Sequence, residues 1–367
     1  MNLDELRAAL TALDGQLVEL VARRNALSEE VAAVKRATGR ATRDFARERE
    51  VILRGRSTAE RLGVSPDLAE SLLRQLIQSS LATQEQARVA AQAQGSGKRA
   101  LVIGGHGKMG GWFTEFLASQ GFRVAVADPK GALVGFDFVP EWQTDALDFD
   151  LIVLATPLSA TAELLHVLAR RAPRGLIFDL GSLKTPLRAG LEALVKAGCR
   201  VTSVHPMFGP DTELLSGRHV IFIDLGHKEA LAQAQELFAP TMAEREVMDL
   251  DEHDRLIAYV LGLSHALNIV FFTALADSGE AAPRLAKLSS TTFDSQLEVA
   301  SRVAAESPEL YFEIQSANTY GGESLLALQN AVERLVSSVR TKNAAEFTAL
   351  MNRGRAYLDV RAAARAG

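Results

Sequence analysis

The sequence predicts a multidomain chain with an all-α front, an α/β middle of Rossmann type and an all-α C-terminal part. Three observations predict it. Leucines and valines recur at alternating three- and four-residue spacing from Leu3 to Val34. A basic pair and a short apolar strand run directly into a glycine-rich turn at residues 98–110. From residue 251 the pattern is helical again, with a long apolar run over residues 256–272. The expected boundaries are 1–92 for the helical front, 93–98 for a linker, 99–250 for the Rossmann-type domain and 251–367 for the helical tail.

A chain of 367 residues has room for two or three domains, and its 47% hydrophobic and 23% charged residues are those of an ordinary globular protein. A net charge of −5 argues against nucleic acid or an anionic membrane as a global partner. Any anionic ligand must therefore be met by local Arg and Lys. The single cysteine, Cys199, cannot form an internal disulfide and suits a reducing compartment. The first residues are acidic rather than apolar, so no signal peptide is expected. No later segment reads as approaching the ~20 apolar residues of a membrane span, and the cytoplasm is the expected location.

In the front, Leu3, Leu6, Leu10, Leu13, Leu17, Leu20, Leu27, Val31 and Val34 write one long helix with a narrow apolar seam. Between Leu20 and Leu27 the seam requires position 24, which holds Arg24. Burying an unpaired charge is costly, so Arg24 either snorkels to water and sets register or awaits an anion. Lys35 follows about 16 Å along the axis on nearly the same face, so two long side chains can converge on one small molecule. Arg7 lies about 42 Å from Lys35 along a straight helix. If all three serve one ligand, Arg7 must come from a second, antiparallel copy of the chain.

In the next helix Asp44, Arg47 and Glu48 share a face, a pattern that taken alone reads as a solvated charge run. Ser65-Pro66-Asp67 opens a third helix with a capping residue and a proline at its first position. Ser80 and Gln84 stand four residues apart along it. Carrying this set of residues, Arg7 and Arg24 included, the front resembles the all-helical chorismate mutase family over its whole length. The resemblance implies a rearrangement of chorismate to prephenate with no covalent intermediate and no acid–base step. It places cations on the two carboxylates and Lys35 and Gln84 at the ether oxygen, so that fixed donors do the work electrostatically. It also implies an intertwined dimer in which one arginine comes from the partner.

Residues 87–97 are rich in Ala, Gln and Gly and lose apolar periodicity, which suits a boundary. Beyond it, Gly105-x-Gly107-x-x-Gly110, with Lys108 and Met109 inside the motif, reads as a strand turning into a helix over 112–119. A strand over 122–127 then ends in Asp128, where a carboxylate is placed to grip the ribose hydroxyls of NAD. Further strands over 151–155 and 176–180 continue a parallel sheet, and their ends carry Thr156-Pro157 and Gly181-Ser182-Leu183-Lys184. Polar residues past the carboxyl ends of such strands are where an open α/β sheet puts its ligand. A third such end holds His205, between a strand and two prolines. It is either a structural histidine or an acceptor for a substrate hydroxyl as hydride leaves the same carbon.

The glycine turn, Gly181-Ser182-x-Lys184 and His205-Pro-Met-Phe-Gly-Pro together resemble the prephenate dehydrogenase family. With the front included, the whole chain resembles the bifunctional enzymes that join the two activities in tyrosine biosynthesis. The resemblance implies NAD-dependent oxidative decarboxylation of prephenate to 4-hydroxyphenylpyruvate. His205 is then expected to hydrogen-bond the 4-hydroxyl, with Ser182 beside it and Lys184 at the substrate or cofactor edge.

In the tail, the apolar run over 256–272 is expected to be buried on most sides, at a subunit or domain interface. His253 and His265 are read as roughly sharing a helical face, with His265 lining the substrate or tyrosine-effector pocket as one reading and a structural role as the other. Arg302 matches the family arginine that binds a prephenate carboxylate, for which a bidentate guanidinium is the natural partner. Asp294 departs from the family pattern, where a basic residue is expected. The histidines show no metal spacing, and no metal is expected. The reading is thus a cytoplasmic homodimer acting on chorismate and prephenate with NAD, with tyrosine as feedback inhibitor. Its alternatives are an arogenate-using dehydrogenase and a front that only dimerises or regulates.

Overall fold

The computed structural model describes residues 1–280 and 282–366. The chain forms two compact units, residues 1–182 with 187–249, and residues 183–186 with the chain from 250 onward.

The first unit opens with α1 (Leu3–Ala37), a single helix of 35 residues. Asn2 and Glu5 cap it reciprocally, each side chain taking the other's backbone N–H at 2.9 Å. Helices α2 (Phe45–Arg61) and α3 (Pro66–Ala91) start on Asp44 and Ser65 caps, and α3 packs against both others. Only Ser28 and Ala32 of α1 are buried; the leucine seam from Leu3 to Leu27 is exposed in the single chain. A stripe of that length open to water calls for another surface.

The Rossmann part runs β1 (Arg99–Ile103), α4 (Lys108–Ser119), β2 (Arg123–Ala127), β3 (Asp137–Phe138), β4 (Leu151–Leu154), α5 (Leu158–Arg171), β5 (Leu176–Asp179), α6 (Arg188–Lys196) and β6 (Arg200–Val201). The strands are all parallel in the order β3-β2-β1-β4-β5-β6, which reverses direction between β1 and β4. Crevices for dinucleotides open at such a reversal. After β6 the chain leaves this sheet. Strands β7 (Ser203–Pro206), β8 (His219–Ile223) and, beyond α7 (Lys228–Phe238), β9 (Glu244–Met248) form a second sheet, with β7 antiparallel and β9 parallel to β8. His205 is therefore not at the end of a parallel strand, as its spacing suggested; it sits inside β7, buried, opposite Ile221. Both sheets share one core, where Phe113, Phe178, Phe222 and Phe238 meet edge to face at centroid distances of 5.8–6.1 Å. Each such buried ring contributes about 1.5–3 kcal/mol by leaving water.

The second unit is helical: α8 (Leu250–Ile257), a π turn over Ala258–Leu263, α9 (Ser264–Asp277), α10 (Ala282–Lys287), α11 (Thr291–Ala304), α12 (Pro308–Ser316), α13 (Gly321–Arg340) and α14 (Ala344–Ala366). Three expectations fail here. The apolar run is not buried on most sides: Leu256, Tyr259, Val260, Leu267 and Val270 are exposed, because α11, α12 and α13 cover one side only. The continuous helical stretch Leu250–Asp277 is also long and apolar enough, by length and composition, to cross a membrane, contrary to expectation. Nor do His253 and His265 share a face. Twelve steps of about 100° separate them by about 120°, and the π turn adds a further phase change.

Candidate active site

The front helices form a cleft of about 380 Å³ whose lining includes Arg24, Lys35, Asp44, Arg47, Glu48, Ser80 and Gln84. Arg24 turns out of the α1 seam so that its Nη1 donates to Ser80 Oγ and to the Leu76 carbonyl on α3. Burial pulls its pKa below the usual guanidinium value, yet an arginine remains charged. Lys35 donates from Nζ to the Thr42 carbonyl at 2.5 Å and stands 3.5 Å from Gln84 Oε1. Among the described residues neither Arg24 nor Lys35 has a carboxylate partner. Asp44 caps α2 by accepting the Arg47 N–H at 2.9 Å, while the Arg47 guanidinium bonds Glu50 at 2.6 Å. Glu48 is gripped by Arg43 through two bonds of 2.9 and 3.0 Å. Arg7 is not brought here; it is 69% exposed, 3.8 Å from Asp4, and about 26 Å along α1 from Arg24.

At the β1–β4 reversal the backbone is too crowded for side chains. Gly104 has φ +93, and a Cβ there would lie 2.5 Å from the Ala155 carbonyl oxygen. A Cβ on Gly105 would strike Val126 at 2.4 Å, and one on Gly110 would strike the Gly104 carbonyl oxygen at 2.0 Å. Gly107 caps α4 with no side chain to spend on it, so the first-turn N–H groups from Lys108 onward suit a pyrophosphate. Met109 packs into the core beneath. Asp128 follows β2 and accepts the His106 and Lys130 N–H groups at 3.0 and 2.9 Å, which fixes its carboxylate beside the glycine turn. Thr156 and Pro157 follow β4; Thr156 is tied to Thr161 at 2.7 Å and Pro157 opens α5. A glycine cradle closed to any Cβ, a helix N-terminus and a carboxylate after β2 fit NAD.

Beyond β5, Asp179 is fully buried and its two oxygens accept the Gly181 N–H at 2.8 Å and the Ser203 hydroxyl at 2.5 Å. It thereby joins the turn carrying Ser182 to the strand carrying His205. In the helical unit, the buried carboxylate of Asp254 accepts the backbone N–H groups of Lys184 (2.9 and 3.1 Å) and Thr185 (2.6 Å) and bonds His253 Nδ1 at 2.7 Å. Burial pushes Asp254 up, but the bonds from His253, Thr185 and Lys184 outweigh it and hold the carboxyl below its usual range. The Lys184 side chain is fully buried. His265 packs on Tyr311 at 4.3 Å, and burial lowers its pKa to about 4. Arg302 on α11 is 73% exposed, with a 3.4 Å contact to Glu298.

Residues 6–85 match the profile of type II chorismate mutases, residues 128–247 that of the prephenate dehydrogenase nucleotide-binding domain, and residues 249–353 that of the prephenate dehydrogenase dimerization domain. The T-protein of Enterobacter agglomerans is 29% identical over 328 residues, covering 89% of this chain and 84% of the relative. That of Haemophilus influenzae is 27% identical over 316 residues, covering 85% and 80%. One chain therefore joins a chorismate mutase domain to both domains of a prephenate dehydrogenase. It is a bifunctional chorismate mutase and NAD-dependent prephenate dehydrogenase of tyrosine biosynthesis. Prephenate dehydrogenase from Aquifex aeolicus, solved with hydroxyphenyl propionate and NAD+, shares the fold at 19% identity and a TM-score of 0.56 over 72% of this chain and 98% of that one.

No sequence motif singles out Gly104, Asp179, Asp254, Arg43 or Glu85. Gly104 was legible as the first of two adjacent glycines, and Asp179 as a carboxylate closing an apolar strand before Gly-Ser. Asp254, within the charged run Glu252-His253-Asp254, carries no such local signal.

Proposed function

We propose that the cleft of α1, α2 and α3 is the mutase site, and that the β1–β4 crevice residues, Ser182, Lys184, His205 and Arg302 serve the dehydrogenase. The placement of Arg24 carries the first assignment: it leaves an apolar seam to bond Ser80, with no carboxylate partner among the described residues. Together with Lys35 it offers two cations to the two carboxylates of chorismate. Lys35 Nζ and the Gln84 amide Nε2 are the donors for the ether oxygen, which gathers negative charge as its bond breaks, and a Lys35 already held by the Thr42 carbonyl needs little reorganisation. Glu48, held by Arg43, and Asp44 are acceptors for the ring hydroxyl. The site is completed by Arg7 of a second copy, paired along the exposed leucine seam of α1 in a homodimer.

In the dehydrogenase, the glycine turn and Asp128 hold NAD, which when bound accepts the hydride. His205 accepts a hydrogen bond from the 4-hydroxyl of prephenate and polarises it as that carbon is oxidised. Loss of the ring carboxylate as carbon dioxide then leaves an aromatic ring, which supplies much of the driving force. Asp179 keeps Ser182 and β7 in place, Lys184 acts at the substrate or cofactor edge, and Arg302 binds a carboxylate. Tyrosine is the feedback inhibitor, with His265 lining the substrate or effector pocket, and the enzyme acts in the cytoplasm.

Arg24→Ala and His205→Asn test the two assignments separately. Chorismate consumption is expected to fail only in the first, and prephenate-dependent NADH formation only in the second, with NAD affinity retained. Loss of NAD binding in His205→Asn, or unchanged mutase turnover in Arg24→Ala, overturns the corresponding role.

A further inference from the structure

Glu85 follows Gln84 on α3, yet its carboxylate points away from the mutase cleft and into the Rossmann part. Its Oε2 accepts the Leu215 N–H at 2.7 Å and its Oε1 accepts the Met242 N–H. Leu215 lies in the return from β7 to β8, and Met242 leads into β9. These two segments flank β8, the strand that sets the register of His205: His205 pairs with Ile221, and the Met207 N–H bonds the His219 carbonyl at 2.9 Å.

The neighbouring bonds run the same way. One turn along α3, Arg88 donates to the Pro240 and Thr241 carbonyls and, at 3.1 Å, to Thr42 Oγ1. The carbonyl of that same Thr42 holds Lys35. Arg43, which grips Glu48, reaches Ser216 Oγ in the β7–β8 return at 2.7 Å. From the nucleotide side the return is tied near its middle, where Trp112 Nε1 bonds the Thr212 carbonyl at 3.1 Å, and at its end, where the Arg218 carbonyl accepts the Glu244 N–H at 2.8 Å. Between these two ties, Leu215 and Ser216 are held by the side chains of Glu85 and Arg43 from the mutase part. Glu85 is itself 3% exposed, so water is poorly placed to substitute for it.

We propose that Glu85, a residue of the mutase helix, is a positioning residue of the dehydrogenase: its carboxylate ties the β7–β8 return to the lead-in of β9 and so fixes the strand that presents His205. This rests on the assignment of His205 made above. The mutase helices are then part of the scaffold of the second active site.

The test uses full-length Glu85→Ala and Glu85→Gln, with dehydrogenase kcat, KM for prephenate and NAD, mutase kcat and Tm measured on each. In Glu85→Ala the dehydrogenase kcat is expected to fall about ten- to a hundredfold, the loss that a misplacement of about 1 Å causes. The KM for NAD and the mutase kcat are expected to stay unchanged. Glu85→Gln, whose carbonyl restores one of the two acceptors, is expected to recover part of the loss. Unchanged dehydrogenase kcat in both variants overturns the proposal, as does loss of both activities in parallel with Tm. If Glu85→Ala alone loses both, Glu85→Gln decides: a selective fall in dehydrogenase kcat supports the proposal and no fall overturns it. His205→Asn, run alongside, separates the two readings. Full turnover there removes the His205 assignment, whereas its loss beside wild-type Glu85 variants removes only this inference.

Discussion

Lys35 Nζ and Gln84 Oε1 face each other at 3.5 Å across the cleft, one presented by α1 and the other by α3. At that distance the pair barely qualifies as a hydrogen bond. Lys35 is aimed by its bond to the Thr42 carbonyl, and Gln84, with its Oε1 turned to Lys35, keeps Nε2 as the donor for a substrate oxygen. Lys35→Met keeps the length of the side chain and removes the charge. Mutase kcat is expected to fall about a hundred- to a thousandfold, as for loss of one donor to a developing oxyanion. Initial rates of chorismate disappearance check it, and a rise in KM with kcat unchanged would contradict a role in the transition state.

Arg7 and Arg24 lie on one helix but too far apart to share a ligand. A mixture therefore separates cis from trans supply. Arg7→Ala and Arg24→Ala are each expected to abolish mutase turnover alone. After the two are mixed and allowed to exchange subunits, half of the dimers are mixed and each regains one complete site, returning about a quarter of wild-type activity. No recovery despite demonstrated exchange would place Arg7 outside the partner's site.

The Asp128 carboxylate, fixed by the His106 and Lys130 N–H groups, predicts NAD over NADP. The extra phosphate of NADP would meet a negative charge that cannot swing away. Asp128→Ser is expected to raise the KM for NAD and narrow the preference about tenfold or more, the effect of at least one charge–charge contact of about 1.4 kcal/mol. Dehydrogenase kcat/KM with each cofactor measures it, and wild-type enzyme that prefers NADP would refute it.

The three-part fold was legible because helix periodicity and the strand–glycine–helix turn are local signals. Arg24 could be singled out because a charge interrupted a regular seam. What escaped depends on partners distant in sequence. β7 reads as the end of a parallel strand until β8 claims it, and Glu85 shows its use only beside Leu215 and Met242, 130 and 157 residues away. The run from Leu256 to Phe272 misled for another reason: composition does not distinguish a face covered by its own chain from one left for a second surface. Even a regular helix separates His253 from His265 by about 120°, and the π turn between them, which has no local signature, shifts the phase further.

His265 makes stability depend on pH. Its Nδ1 is buried without a hydrogen-bond partner among the described residues, its ring packs on Tyr311, and burial lowers its pKa to about 4. In the unfolded chain an imidazole titrates near pH 6.5. Between these values the unfolded chain binds the extra proton, so the stability that neutral His265 allows is fully present above pH 6.5 and is lost as pH falls towards 4. The expected loss on going from pH 7.5 to 5 is about 2 kcal/mol. His265→Phe keeps an aromatic ring against Tyr311 and removes the proton site, so its stability is expected to be flatter over that range. Urea midpoints for the two proteins at matched concentration and at both pH values check the difference, which isolates His265 from the other histidines. Equal pH slopes would mean that the ring is solvated in the folded enzyme, and the buried, neutral His265 described here would have to be given up.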